Sequence, residues 1–120
     1  MSRAAGCSAG RTLYVSDTSR TAGGDGHTIY AFPVAEDQSL GARRVFAAIE
    51  PGVPDGFRVD SRGWLWTSSE PGVQVFSAEG HRLGLIPTPQ TCSNCCFGPG
   101  EARLFVTAQQ FLYAIDLVDG

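Results

Sequence analysis

Gly63-Trp-Leu-Trp-Thr-Ser-Ser69, followed by Gly72-Val-Gln-Val-Phe76, is the middle member of a set of three. Arg11-Thr-Leu-Tyr-Val-Ser-Asp17 with His27-Thr-Ile-Tyr-Ala-Phe32 precedes it, and Ala102-Arg-Leu-Phe-Val-Thr-Ala108 with Phe111-Leu-Tyr-Ala-Ile115 follows it. Each member is a pair of short runs rich in β-branched and aromatic residues, bounded by Gly, Ser and Asp. That is the pattern of antiparallel strands. Leu13, Leu65 and Leu104 align at offsets of 52 and 39 residues, and the longer offset contains the Gly/Ser/Thr-rich loop from Thr18 to Gly26. The underlying unit is therefore about forty residues.

Further strands flank the pairs. Arg43-Arg-Val-Phe-Ala-Ala-Ile49 follows the first, Gly56-Phe-Arg-Val-Asp60 and His81-Arg-Leu-Gly-Leu-Ile86 enclose the second, and Asn94-Cys-Cys-Phe97 precedes the third. Asp60-Ser-Arg-Gly63 and Ser77-Ala-Glu-Gly80 read as the turns between them. Four antiparallel strands per unit is the pattern of a β-propeller blade. A β-sandwich also has short, evenly spaced strands, and the internal repetition favours the propeller. The expected fold is all-β: a single partial propeller domain over residues 1–120, with blades at about 4–49, 53–87 and 92–117. The third blade stops at its third strand, and Ala4 to Ser8 is a candidate to fill the gap. No window sustains helical spacing free of Gly or Pro, and Pro33 to Gly41 reads as a polar loop.

Composition narrows the function classes. Hydrophobic residues make up 42% and charged residues 18% of the 120, enough to build a core. A net charge of −3 argues against a nucleic-acid partner. No apolar run reaches the roughly 20 residues that span a bilayer, and the start, Met1 to Gly10, has no apolar signal core. The expectation is a cytoplasmic chain without a membrane partner, its four cysteines (Cys7, Cys92, Cys95, Cys96) reduced.

From Val53 onward the ordered motifs become specific. Pro54-Asp-Gly-Phe-Arg-Val-Asp-Ser-Arg-Gly-Trp-Leu-Trp66, Gly72-Val-Gln-Val-Phe76, Gly80-His-Arg-Leu-Gly-Leu-Ile-Pro87, Asn94-Cys-Cys-Phe-Gly98 and Leu104-Phe-Val-Thr-Ala108 run in one order. The series resembles the later blades of the gluconolactonase/regucalcin family, also called the senescence marker protein and luciferin-regenerating enzyme-like family. Leu13-Tyr-Val-Ser-Asp-Thr18 fits the blade before them. The resemblance implies a six-bladed propeller with one divalent cation, Ca²⁺ or Zn²⁺, in a central pocket. It also implies metal-dependent hydrolysis of sugar-acid lactones or related esters.

On that resemblance Asp55 matches a metal-binding aspartate; by itself, Pro-Asp-Gly is a common turn tripeptide. The family's other cation ligands are a glutamate from an early blade, which this sequence does not contain, and an asparagine that would fall near Ser2. The chain resembles the C-terminal half of such an enzyme. It is expected by itself to open a lactone no faster than buffer, and to form a homodimer that completes the ring. The alternative is a non-catalytic propeller fragment serving as an interaction module. No catalytic residue is assigned.

Asn94, at the start of its strand, is a candidate substrate contact or a neighbour of one, and equally a turn residue. Cys92-Ser-Asn-Cys-Cys96 has a Cys-x-x-Cys spacing without a second pair, which favours packing over zinc. His27 and His81 read as turn histidines. Tyr14, Trp64, Trp66, Phe76, Phe105 and Tyr113 read as packing between blades. Asp17 and Asp60 recur at strand ends and are expected to hold turns.

Overall fold

A computed structural model describes residues 2–3, 12–18 and 26–117. Their strands form three antiparallel sheets, each in chain order. The first contains β1 (Ser2–Arg3), β2 (Thr12–Asp17), β3 (Thr28–Pro33) and β4 (Arg44–Ala48). The second contains β5 (Phe57–Val59), β6 (Leu65–Ser68), β7 (Gly72–Phe76) and β8 (Arg82–Pro87). The third contains β9 (Asn94–Phe97), β10 (Arg103–Ala108) and β11 (Phe111–Asp116), with one 3₁₀ turn at Pro99–Glu101. These are propeller blades in an all-β chain. The candidate closing strand, Ala4 to Ser8, and Cys7 lie outside the described residues; β1 takes the first sheet's outer place beside Ser16 and Asp17.

Both expected tight turns form. The Gly63 N–H donates to the Asp60 carbonyl (3.0 Å) and the Gly80 N–H to the Ser77 carbonyl (2.9 Å). Gly63 and Gly80 have φ of 83° and 90°, which a side chain would strain. The segment after Pro33 is a loop, closed by an isolated bridge between Val34 and Leu40.

Alternation along each strand gives every sheet two faces, and the core lies between sheets. Tyr14, Ile29, Ala31 and Phe46 of the first sheet meet Phe57, Leu65 and Phe76 of the second. The rings of Tyr14 and Phe46 pack edge to face with centroids 5.0 Å apart. On the other side of the second sheet, Trp66, Val73 and Val75 meet Cys95, Leu104 and Val106 of the third. Trp66 and Phe97 form a second edge-to-face pair at 5.4 Å. Burying one such side chain stabilises by about 1.5–3 kcal/mol, so each seam holds two sheets together.

Among the described residues, no second sheet packs on the far faces of the end sheets. Val15, Tyr30 and Val45 share a cross-strand row on the first sheet, and Val45 is 63% exposed. Phe105 pairs with Cys96 and Ala114, and Thr107 with Asn94 and Leu112, on the third. Leu112 is 69% exposed. Beside the third sheet a groove of about 720 Å³ opens against β8, lined by Leu83, Leu85, Ile86, Phe97 and Leu117.

Candidate functional site

β5 and β9 are the first strands of consecutive sheets, and they approach one another. The candidate residues gather where they meet. The loop carrying Asp55 is clamped to the end of β6: the Asp55 N–H donates to the Ser68 carbonyl (3.1 Å). Ser68 returns its N–H (2.9 Å) and its hydroxyl (2.8 Å) to the Gly56 carbonyl. Gly56 then donates its own N–H to the Ser93 carbonyl (2.9 Å), which ties the second sheet to the third.

Asn94 lies against Gly56. A Cβ added to Gly56 would stand 2.0 Å from Asn94 Oδ1, so only glycine lets the two backbones come this close. That oxygen accepts the Cys95 N–H at 2.8 Å, which fixes the orientation of the amide. Asp55 and Asn94 are thus neighbours across one glycine, but they line different cavities. Half-buried Asp55 lines a space of about 450 Å³ with Thr18, Glu70, Thr91 and Cys92. Exposed Asn94 lines a hollow of about 150 Å³ with Arg58, Cys96, Phe105, Thr107 and Leu112.

The donor set does not amount to a cation site by itself. Ca²⁺ takes six to eight oxygens. Among the described residues no three His, Cys, Asp or Glu side chains come together. Asp55 supplies one carboxylate, and Glu70 lines the same cavity.

The cysteines divide. Cys92 and Cys95 are buried in the second seam, where Cys92 Sγ lies 3.1 Å from Thr88 Oγ1 and Cys95 Sγ lies 3.6 Å from the Trp66 carbonyl. Cys96 does not join that core; strand alternation turns it to the exposed far face. Cys92, Cys95 and Cys96 form no disulfide. His81 is an exposed turn residue whose N–H reaches Ser77 Oγ (3.2 Å), and the His27 carbonyl accepts the Ile49 N–H (2.7 Å).

Sequence reasoning passed over Arg58, Glu70 and Thr91. Arg58 sits between two apolar neighbours in a strand, and Glu70 precedes Pro-Gly, so both look like ordinary strand and turn residues. No helix among the described residues is long and apolar enough to cross a membrane.

Comparison with known proteins adds the remaining observation. Residues 7–110 match the model of the SMP-30/Gluconolactonase/LRE-like region. A gluconolactonase from Xanthomonas campestris of known structure is 46% identical, with a TM-score of 0.80 over 90% of this chain and 34% of its own. A gluconolactonase of Zymomonas mobilis is 42% identical over 59 residues, 48% of this chain and 17% of that protein. A calcium-binding regucalcin from Agrobacterium tumefaciens is 26% identical, with a TM-score of 0.69 over 83% of this chain and 35% of its own. The chain thus spans about a third of the solved relatives and less of the Zymomonas protein.

Proposed function

Because the chain belongs to the SMP-30/Gluconolactonase/LRE-like family, we propose that it works as part of a lactone hydrolase acting on sugar-acid lactones or related esters. The observation that carries this reading is the likeness of its three sheets to a gluconolactonase at a TM-score of 0.80. Asp55 is proposed as one oxygen ligand of a divalent cation, Ca²⁺ or Zn²⁺, whose other ligands come from outside the described residues. Asn94, held against the Asp55 loop through Gly56, is proposed as a substrate contact or its neighbour.

Three blades are half of a six-bladed ring. A second copy of the chain is proposed to complete it, laying the far face of its first sheet on the far face of the third. Both faces carry exposed apolar side chains, which supports this. The reading is of a cytoplasmic protein.

The second reading, a non-catalytic interaction module, is favoured by the lack of a cluster of three His, Cys, Asp or Glu side chains among the described residues. Ring opening of glucono-δ-lactone, followed by pH-stat on separated monomer and dimer, tests the two. The hydrolase reading expects monomer at the buffer rate, dimer above it, and at least a tenfold loss of dimer activity in Asp55→Ala. Dimer that turns over no faster than buffer favours the module.

A further inference from the structure

The cavity beside Asp55 has a second carboxylate on its wall, and the chain spends a buried network on holding it there. Glu70 stands on the turn between β6 and β7. The Ser69 N–H and hydroxyl both donate to the Gly72 carbonyl (2.9 and 2.7 Å), and the Ser69 carbonyl accepts the Cys92 N–H (3.2 Å). Fully buried Gln74 donates its amide N–H to Ser69 Oγ (3.0 Å), while its Oε1 has no partner among the described residues. A buried amide satisfied on one side only costs folding energy, so Gln74 serves the turn more than the core. Glu70 is exposed, and no hydrogen bond or ion pair holds its carboxylate among the described residues. It lies across the loop that carries Asp55. A Cβ added to Gly52, whose φ is 85°, would stand 2.8 Å from Glu70 Cβ and 3.2 Å from its Oε2, so the bare glycine makes the room that Glu70 occupies. Thr18, Thr91, Val53 and Cys92 complete the lining.

We propose that Glu70 is a specificity-determining residue of the Asp55 cavity: its carboxylate accepts hydrogen bonds from adjacent hydroxyls of a polyhydroxylated ligand, the sugar part of the lactone. That the ligand is a lactone rests on the hydrolase reading; the polyol chemistry does not. An ionised carboxylate only accepts, with room for several O–H donors, and hydrogen bonds to it are stronger than neutral ones. The hydroxyls of Thr18 and Thr91 both give and accept, which suits the remaining hydroxyls of a polyol. A cation would find only Asp55 and Glu70 as charged ligands on this wall, against the six to eight oxygens that Ca²⁺ takes. The space of about 450 Å³ falls in the ~300–1,000 Å³ range of small-molecule pockets.

The test uses the full chain, labelled with ¹³C and ¹⁵N, with glucitol as the probe and 1,6-hexanediol, which has no adjacent hydroxyls, as the control. Glucitol is expected to shift the Glu70 carboxyl and Thr91 amide signals saturably, while hexanediol leaves them in place. Glu70→Ala should weaken glucitol binding about tenfold or more while melting like the wild type, since the side chain is exposed. Glu70→Gln, which keeps an acceptor but not the charge, should weaken it severalfold. No response to glucitol, an equal response to hexanediol, or wild-type affinity in Glu70→Ala overturns the assignment. So does loss of a Ca²⁺-dependent rise in melting midpoint in Glu70→Ala, which would make Glu70 a cation ligand instead. Glucitol binding by a chain that never opens a lactone keeps the polyol contact and removes the hydrolase reading. Turnover whose preference for glucono-δ-lactone over δ-valerolactone survives Glu70→Ala does the reverse.

Discussion

Asp60 is a buried carboxylate with nearly every acceptor position filled. Oδ1 takes the N–H groups of Arg62 and Trp64, each at 2.9 Å, and Oδ2 takes the Trp66 indole at 3.0 Å and the Arg62 guanidinium at 3.1 Å. Asp60→Ala strands the indole donor and opens the turn, at a cost of about 2–3 kcal/mol. The melting midpoint should fall by about 10 °C or more by calorimetry; an unchanged midpoint would show that water replaces the carboxylate without loss. Tyr14 offers a second reading at this scale. Burial in the first seam pushes its hydroxyl above the usual tyrosine range, and nearby Arg44 opposes this more weakly. A raised folded-state pKa means that the folded chain holds its proton longer than the unfolded one. Stability is therefore full below the ordinary value near 10 and declines as pH rises through it. The alkaline fall of the melting midpoint should be shallower in Tyr14→Phe, and identical slopes would rule out a Tyr14 contribution. At Asp55, Ca²⁺ or Zn²⁺ should raise the midpoint slightly by mass action, and Asp55→Ala should abolish the rise. An equal rise in both proteins removes Asp55 as a ligand. Asp60 was legible in sequence because Asp-x-x-Gly spells out its own turn. The nearness of Arg58 to Asn94, 36 residues away in the sequence, was not, because it depends on the meeting of β5 and β9.

The strands were the most legible elements, since alternation and Gly-bearing turns are local signals. All three paired runs became adjacent strands: β2 with β3, β6 with β7, and β10 with β11. β1 was not foreseen at Ser2–Arg3, because two residues carry no alternation to read. The seams between sheets were only half legible. Aromatic repeats pointed to them, but Phe46 and Phe57 belong to flanking strands whose partners are set by tertiary packing. Contacts between elements are also where single glycines matter. A Cβ on Gly80 would lie 2.2 Å from the Phe46 carbonyl, so the β7–β8 turn of the second sheet touches β4 of the first through bare backbone. Gly80→Ala adds left-handed strain to that clash and should destabilise by about 1–3 kcal/mol, read as an earlier urea midpoint. The same substitution at Gly84, which has nothing within 4 Å of its Cβ position, serves as the control and should be much milder.

At the scale of the molecule the open question is what covers the two far faces. Two copies in a closed two-fold arrangement would cover both at once. Sedimentation equilibrium at micromolar concentration should then report about 25 kDa, twice the 12.7 kDa chain; a cooperative monomer at the same concentrations defeats this ring. The order of the sheets has a second consequence, which does not depend on assembly. β6 and β7 are buried at every residue, because the second sheet is lined by both seams, whereas β8 and β11 are open along most of their length. Amide protons should therefore exchange with deuterium slowest in β6 and β7 and fastest in the open strands β8 and β11. A protease given time to sample openings would trim the stack from its outer sheets inward, and the last fragment to survive would be the central hairpin.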